Sequence, residues 1–138
     1  MSISEDVIIA NMKNLLDNHK ILIVDDDDLF RAYAMKAFDF LHPFSASTGV
    51  EAREIFNNEK PDITLLDVCL PDDNGIDLLK EFLEIKPDAY IVIITGHNTE
   101  AVIKSALDSG AAGYIMKPFN IRQIKKLIVQ YIKNINDG

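Results

Sequence analysis

The chain has no tryptophan, one cysteine, six glycines and five prolines in 138 residues, and its 14 Lys and Arg are outnumbered by 22 Asp and Glu. Each scarcity removes a class of answer. Cys69 has no second cysteine to pair with, so no disulfide framework holds the fold. With no Gly/Ser linker, no low-complexity tract and no internal repeat, the length fits one domain. A formal net charge of −8 argues against the phosphate backbone of nucleic acid as the main partner. No apolar run reaches the roughly 18 residues of a membrane span, and the start lacks the charged and apolar regions of a signal peptide. A soluble cytoplasmic protein, in contact with neither membrane nor nucleic acid, is the expectation. What the chain does have is 48% hydrophobic residues, enough for a real core.

Those residues fall into short runs rich in Ile and Val: Ile21 to Val24, Ile63 to Leu66, Tyr90 to Ile94 and Gly113 to Met116, with a weaker run at Pro43 to Ala46. Segments of helical period separate them. The clearest carries Ile121, Ile124, Leu127, Ile128, Tyr131, Ile132 and Ile135 behind Asn120, a suitable N-cap, and another is predicted from Asn98 to a stop at Gly110. Five strand and helix pairs, with strands that lack a polar face, predict a parallel sheet covered on both sides.

Ser2 to Lys20 is left over at the front, with Val7, Ile8, Met12, Leu15 and Leu16 at helical spacing and a capping box predicted between Ser2 and Glu5. The chain is therefore divided into a helical extension over residues 1–19 and a main domain over 20–138. The apolar face of the extra helix must be covered. Docking on the domain is the plainer reading, and a homodimer or other partner contact is the alternative.

In an open parallel α/β sheet, ligands bind outside the carboxyl ends of the strands. Asp25 and Asp26 follow the first strand, Asp67 ends the third, Thr95 ends the fourth, and Lys117 follows the fifth. Three carboxylates this close repel one another unless a cation neutralises them. An all-oxygen site with open water positions suits Mg²⁺. The run Asp25 to Asp28 then divides: the first two residues point into the crevice, and Asp27 and Asp28 start the next helix, where carboxylates meet free N–H groups and the positive end of the helix dipole.

Together these residues resemble the receiver domain of two-component response regulators over roughly Lys20 to Asn134. The features that carry the resemblance are Asp25-Asp26 after Ile-Leu-Ile-Val; Asp67 in Leu-Leu-Asp-Val-Cys-Leu-Pro, followed by Asn74-Gly75; Thr95 in Ile-Ile-Thr-Gly-His; Tyr114; and Lys117-Pro118-Phe119. The resemblance implies a flavodoxin-like, doubly wound five-stranded sheet of order 2-1-3-4-5. It implies that Asp67 accepts a phosphoryl group from a phosphohistidine of a sensor histidine kinase or histidine phosphotransfer protein. It further implies that Asp26 and Asp67 ligate Mg²⁺ through side chains, Asp25 mainly through water and Cys69 through its carbonyl, and that Lys117 pairs with a phosphoryl oxygen. Thr95 and Tyr114 are the implied switch, acting on the surface of the domain's fourth helix, fifth strand and fifth helix. Such a protein is a signalling phosphoacceptor that assists its own phosphorylation and dephosphorylation, rather than an enzyme acting on other molecules. Pro118 is implied to follow a cis peptide bond that aims Lys117. With only Asn134 to Gly138 after the last helix, no output domain is expected, and signalling proceeds by binding a downstream protein.

Cys69 and His97 lie two residues past Asp67 and Thr95, where the family varies and where side chains influence phosphate loss. A redox role for Cys69 is disfavoured by its acidic surroundings, and His97 is disfavoured as a Mg²⁺ ligand. Asn74 keeps the turn before Gly75. Asp25-x-Asp27 after a strand is also similar to haloacid-dehalogenase-like phosphatases, with Asp25 as nucleophile. Leu29 stands where that family has Thr or Val, the next carboxylate after Lys117 is Asp137, and Asp67 would have no task. A receiver-like interaction module that is never phosphorylated is the remaining alternative, disfavoured because the whole residue set is present.

Overall fold

Ile21–Val24, buried on both faces, forms the strand β1 around which the sheet is built. The computed structural model describes residues 4–96, 100–117 and 120–137. Strands β2 (Phe44–Ala46), β3 (Ile63–Asp67), β4 (Tyr90–Thr95) and β5 (Gly113–Met116) join β1 in one parallel sheet of order β2-β1-β3-β4-β5. The predicted runs are found, with β3 and β4 each one residue longer so that Asp67 and Thr95 fall on the strands themselves. The short β2 starts at Phe44, because Pro43 has no N–H to give to a ladder.

Between the strands lie α3 (Asp28–Ala37), α4 (Gly49–Glu59), α5 (Gly75–Ile85) and α6 (Glu100–Asp108), and α7 (Ile121–Asp137) closes the fold. Strand residues alternate between two cores. Ile21, Ile23, Ile63, Leu65, Val92, Ile94 and Ile115 meet Ala34 and Phe38 of α3 and Ile124, Ile128 and Ile132 of α7. Leu22, Val24, Leu66, Ile91 and Ile93 meet Ala52 and Phe56 of α4, Leu78, Leu79 and Phe82 of α5, and Ala106 of α6. The rings of Phe56 and Phe82 stack at 4.1 Å between centroids, which locks α4 to α5. Each such fully buried aliphatic or aromatic side chain contributes about 2 kcal/mol of transfer free energy.

The front segment is helical but divided, into α1 (Glu5–Ala10) and α2 (Met12–Leu15), with the break at Asn11. Its apolar face docks on the domain: Ile8, Met12 and Leu16 are buried in the α3/α7 core. Val7, expected on that face, is instead half exposed. Ser4 caps α1 by accepting from the Val7 N–H at 3.3 Å, whereas the expected cap, Ser2, lies outside the described residues.

Two helix ends differ from expectation. Helix α6 stops at Asp108, short of Gly110, which sits at φ +106° in the turn beyond it, and the expected start at Asn98 lies outside the described residues. Helix α7 continues past Asn134 to Asp137. Its start is capped reciprocally: Asn120 Oδ1 accepts from the Gln123 N–H at 3.3 Å, and Gln123 Oε1 accepts from the Asn120 N–H at 3.0 Å. Among the described residues, no helix is long and apolar enough to cross a membrane.

Candidate functional site

Parallel pairing brings the carboxyl ends of β1, β3, β4 and β5 to one edge, and the charged residues of the sequence motifs stand there. Asp25 continues the ladder past β1, its N–H donating to the Ala46 carbonyl at 3.1 Å, and its side chain is fully buried. Asp26 beside it is exposed, and Asp67, at the end of β3, is buried. One carboxylate oxygen from each of the three lies within 4.8 Å of those of the other two. An acidic, all-oxygen pocket of this kind fits a hard divalent cation, and its partly exposed rim leaves room for water ligands.

Lys117 answers part of the negative charge. Its Nζ donates to Asp25 Oδ2 at 2.6 Å and lies 3.8 Å from Asp67 Oδ2. Burial acts to lower the Lys117 pKa, but the hydrogen bond and charge of Asp25, with Asp67 behind it, outweigh burial and raise it. The ammonium also sits 5.0 Å above the Phe30 ring, which shields it from solvent on that side. Lys117 is held by backbone pairing as well, its N–H donating to the Thr95 carbonyl at 2.8 Å.

Asp67 is pushed up to about 6, first by burial and then by the nearby Asp25 charge, against the Cys69 N–H and Lys117, which favour the ionised form. That N–H donates to Asp67 Oδ1 at 3.0 Å and fixes the carboxylate plane. Cys69 is exposed, and partial desolvation of its thiol together with the charges of Asp67 and Asp26 raises its pKa, the opposite of what a reactive thiolate needs.

The acidic run divides as its positions suggest. Asp27 is the N-cap of α3, accepting from Leu29 and Phe30 at 3.0 and 3.2 Å, and Asp28 opens the helix and pairs with Arg31. Asn74 caps α5, accepting from the Ile76 N–H at 2.8 Å. Gly75 next to it is required by close approach, since a Cβ there would lie 2.4 Å from Val68 Cα and 2.5 Å from the Asp67 carbonyl oxygen.

Thr95 is fully buried, whereas Tyr114 on β5 is 42% exposed with its side chain turned outward. Register pairs Ile93 with Tyr114 and Thr95 with Met116, so Thr95 and Tyr114 are diagonal neighbours on one face of the sheet. His97, Pro118 and Phe119 lie outside the described residues.

Several supporting residues carry no motif and were missed in the sequence. Arg31 Nη1 donates to the Asp25 carbonyl at 2.7 Å. Asp72 accepts from the N–H groups of Gly49 and Val50 at 2.8 and 3.2 Å, and Asp73 pairs with Arg53, which also holds Glu81 at 2.7 Å. These contacts tie the loop after β3 to α4 and α5. Asp72 and Asp73 directly follow Leu70-Pro71, and a helix N-terminus in need of a cap was the only signal available.

The chain is similar to known proteins across the sheet and its covering helices. A model of the response regulator receiver domain family matches residues 21–129. Sporulation initiation phosphotransferase F of Bacillus subtilis is 32% identical over 117 residues, covering 83% of this chain and 94% of that protein. Chemotaxis protein CheY of Thermotoga maritima is 35% identical over 106 residues, covering 72% and 86%. The crystal structure of a CheY-like receiver domain protein from Methanospirillum hungatei superposes with a TM-score of 0.78 at 30% identity, covering 87% of this chain and 98% of that one.

Proposed function

Because this chain belongs to the response regulator receiver family, we propose that it takes a phosphoryl group onto Asp67 from a phosphohistidine of a sensor histidine kinase or histidine phosphotransfer protein. An Asp67 carboxylate oxygen forms a bond to phosphorus as the phosphorus–nitrogen bond of the donor breaks, and the departing imidazole keeps the bonding pair. The observation that carries this reading is the setting of Asp67: buried, fixed at Oδ1 by the Cys69 N–H, and facing Lys117 3.8 Å away.

The chain's own residues divide the work. Lys117, between Asp25 and Asp67, moves toward a phosphoryl oxygen once Asp67 carries one, exchanging part of its bond to Asp25 for a doubly charged acceptor. Asp26 and Asp67, with Asp25 through water and the Cys69 carbonyl, would hold Mg²⁺. When bound, that ion offsets negative charge on the phosphoryl oxygens during transfer. Thr95 donates its hydroxyl to the phosphoryl group, and Tyr114, its diagonal neighbour, turns inward from the exposed position. The surface of α6, β5 and α7 then changes for a downstream protein. The same pocket serves phosphate loss to water, in a soluble signalling protein of the cytoplasm.

The phosphatase reading fits poorly with Asp25. It is fully buried, with Oδ2 held by Lys117 and Oδ1 accepting from the Asp27 N–H at 2.9 Å, so neither oxygen is presented to a substrate. Incubation with a small phosphodonor and Mg²⁺, read by intact mass, tests the proposal: one acid-stable, base-labile phosphoryl group is expected, and none in Asp67→Asn. Labelling that persists in that variant or maps to Asp25 overturns it.

A further inference from the structure

The front segment does more than cover α7. Helices α1 and α2 lie outside residues 21–129, the part matched by the family model, and they form one wall of a groove whose other walls are α3 with its following turn and α7. The larger part is a cavity of about 340 Å³ floored by Ile9, Ala10, Met12, Ala37 and Phe40. A second hollow of about 180 Å³ continues past Ile9 and Lys125 toward the start of α7. Ile9 lines both and is 44% exposed, which leaves an apolar side chain open in the groove.

The rim is cationic. Lys13 and Lys125 flank the larger part and Arg122 and Lys126 the smaller one, with Glu5 the single carboxylate among the lining residues. Elsewhere most arginines and several lysines are ion-paired, as in Lys20 with Glu59, Arg53 with Asp73 and Glu81, and Lys86 with Asp62. Among the described residues, none of the four rim cations has such a pair. Helix α7 carries four cations and one acidic residue, in a chain whose net charge is −8. Four of the chain's 14 Lys and Arg therefore stand beside this apolar floor.

We propose that this groove binds an acidic amphipathic helix of a partner protein, apolar side chains seated on Ile9, Met12, Ala37 and Phe40 and carboxylates reaching Lys13 and Lys125. The occupant follows from the two halves of the surface. Apolar anchors spaced at i, i+4 and i+7 on one helix face meet the apolar lining residues, and acidic residues beside them complement the rim. A phosphate backbone offers nothing to the apolar floor. A membrane surface is flat and would leave the concavity empty. The proposal does not rest on phosphorylation at Asp67, although α7 belongs both to this groove and to the switch surface.

The test uses the full chain, isotope-labelled, and a designed peptide of about sixteen residues with leucines at helical spacing and glutamates between them. Controls are the same peptide with lysine for glutamate, phosphatidylcholine vesicles containing phosphatidylserine, and a DNA duplex. The expected result is saturable shifts at Ile9, Met12, Ala37, Phe40 and Lys125 with the acidic peptide alone. Binding should weaken as salt rises, and at least tenfold in Lys13→Glu/Lys125→Glu. Lys13 is exposed and Lys125 partly exposed, the fold of the variant is checked by its amide spectrum, and Ile9→Ser gives a second, uncharged reduction. Equal binding of the lysine peptide, undiminished binding to the double variant, shifts only with vesicles or DNA, or shifts confined to Ala101 to Met116 would each overturn the proposal.

Discussion

Lys117 and Asp25, 92 residues apart in the chain, are joined by a 2.6 Å hydrogen bond at the centre of the acidic edge, with the carboxylate fully buried. The lysine is thus the resident counter-ion of the site before any ligand arrives, and every change at the edge is felt through this pair.

Removing the ammonium strands a buried carboxylate. Lys117→Ala is expected to lose about 2 kcal/mol of stability in metal-free buffer at neutral pH, a loss that Mg²⁺ partly restores because it supplies the missing positive charge. Urea unfolding with and without Mg²⁺ checks this, and equal midpoints for parent and variant without metal would dismiss the counter-ion role.

Asp67 gives a pH dependence of definite sign. Its pKa in the folded state, about 6, lies above its ordinary value of 3.8, so the folded state holds its proton more tightly than the unfolded chain does. The contribution to stability is fully present below about pH 4 and is lost as pH rises through about 6, a change of roughly 3 kcal/mol. Asp67→Asn cannot lose that proton. In metal-free buffer the variant should match the parent near pH 4 and exceed it at pH 7.5. A stability difference that does not change with pH would show that Asp67 is not held in this way.

Gly75→Ala tests the placement of the acceptor strand. A methyl group 2.4 Å from Val68 Cα cannot be accommodated without moving the Asp67–Val68 backbone. The expected cost is on the order of 3 kcal/mol, together with slower labelling of Asp67 by a phosphodonor even where the variant is fully folded. Parent-like stability and labelling would mean that the loop after β3 yields freely.

The diagonal pair Thr95 and Tyr114 predicts the route of the switch. With beryllofluoride and Mg²⁺ as a phosphoryl mimic, side-chain NMR should show both residues moving together, with shifts across α6 and the start of α7. Thr95→Ala should keep labelling at Asp67 to some degree and lose the Tyr114 response. A differential affinity of about 1.4 kcal/mol between two states shifts their ratio only tenfold, so a partial response is expected in the parent. Identical Tyr114 shifts in parent and variant would rule out coupling through the Thr95 hydroxyl.

Legibility in the sequence followed how local each feature is. Strands β1, β3, β4 and β5 were readable because burial on both faces leaves unbroken apolar runs, and the strand order came from the resemblance that the edge residues carry. The break at Asn11 was not readable: Ile8, Met12 and Leu16 keep a spacing of four across it, so the periodicity passes straight through the interruption. Asp25 was assigned to water around a metal and Lys117 to a phosphoryl oxygen, and their bond to each other was missed. Nothing local to either residue indicates it, since it depends on β5 taking its place with β3 and β4 between it and β1. Asp72, Asp73 and Arg53 were missed for the same reason: their partners are set by how helices pack, not by neighbours in the chain.

That distance along the chain also orders events during synthesis. Asp25, Asp26 and Asp67 leave the ribosome well before Lys117, and strands β1 to β4 can pair before β5 exists. An intermediate lacking its last strand would hold buried acidic groups with no cation to answer them, and would favour protonated or loosely packed forms of that edge. Docking of β5 and α7 delivers the ammonium and completes the core on the same step. The electrostatic strain of the unfinished edge thereby becomes a driving force for adding the final strand.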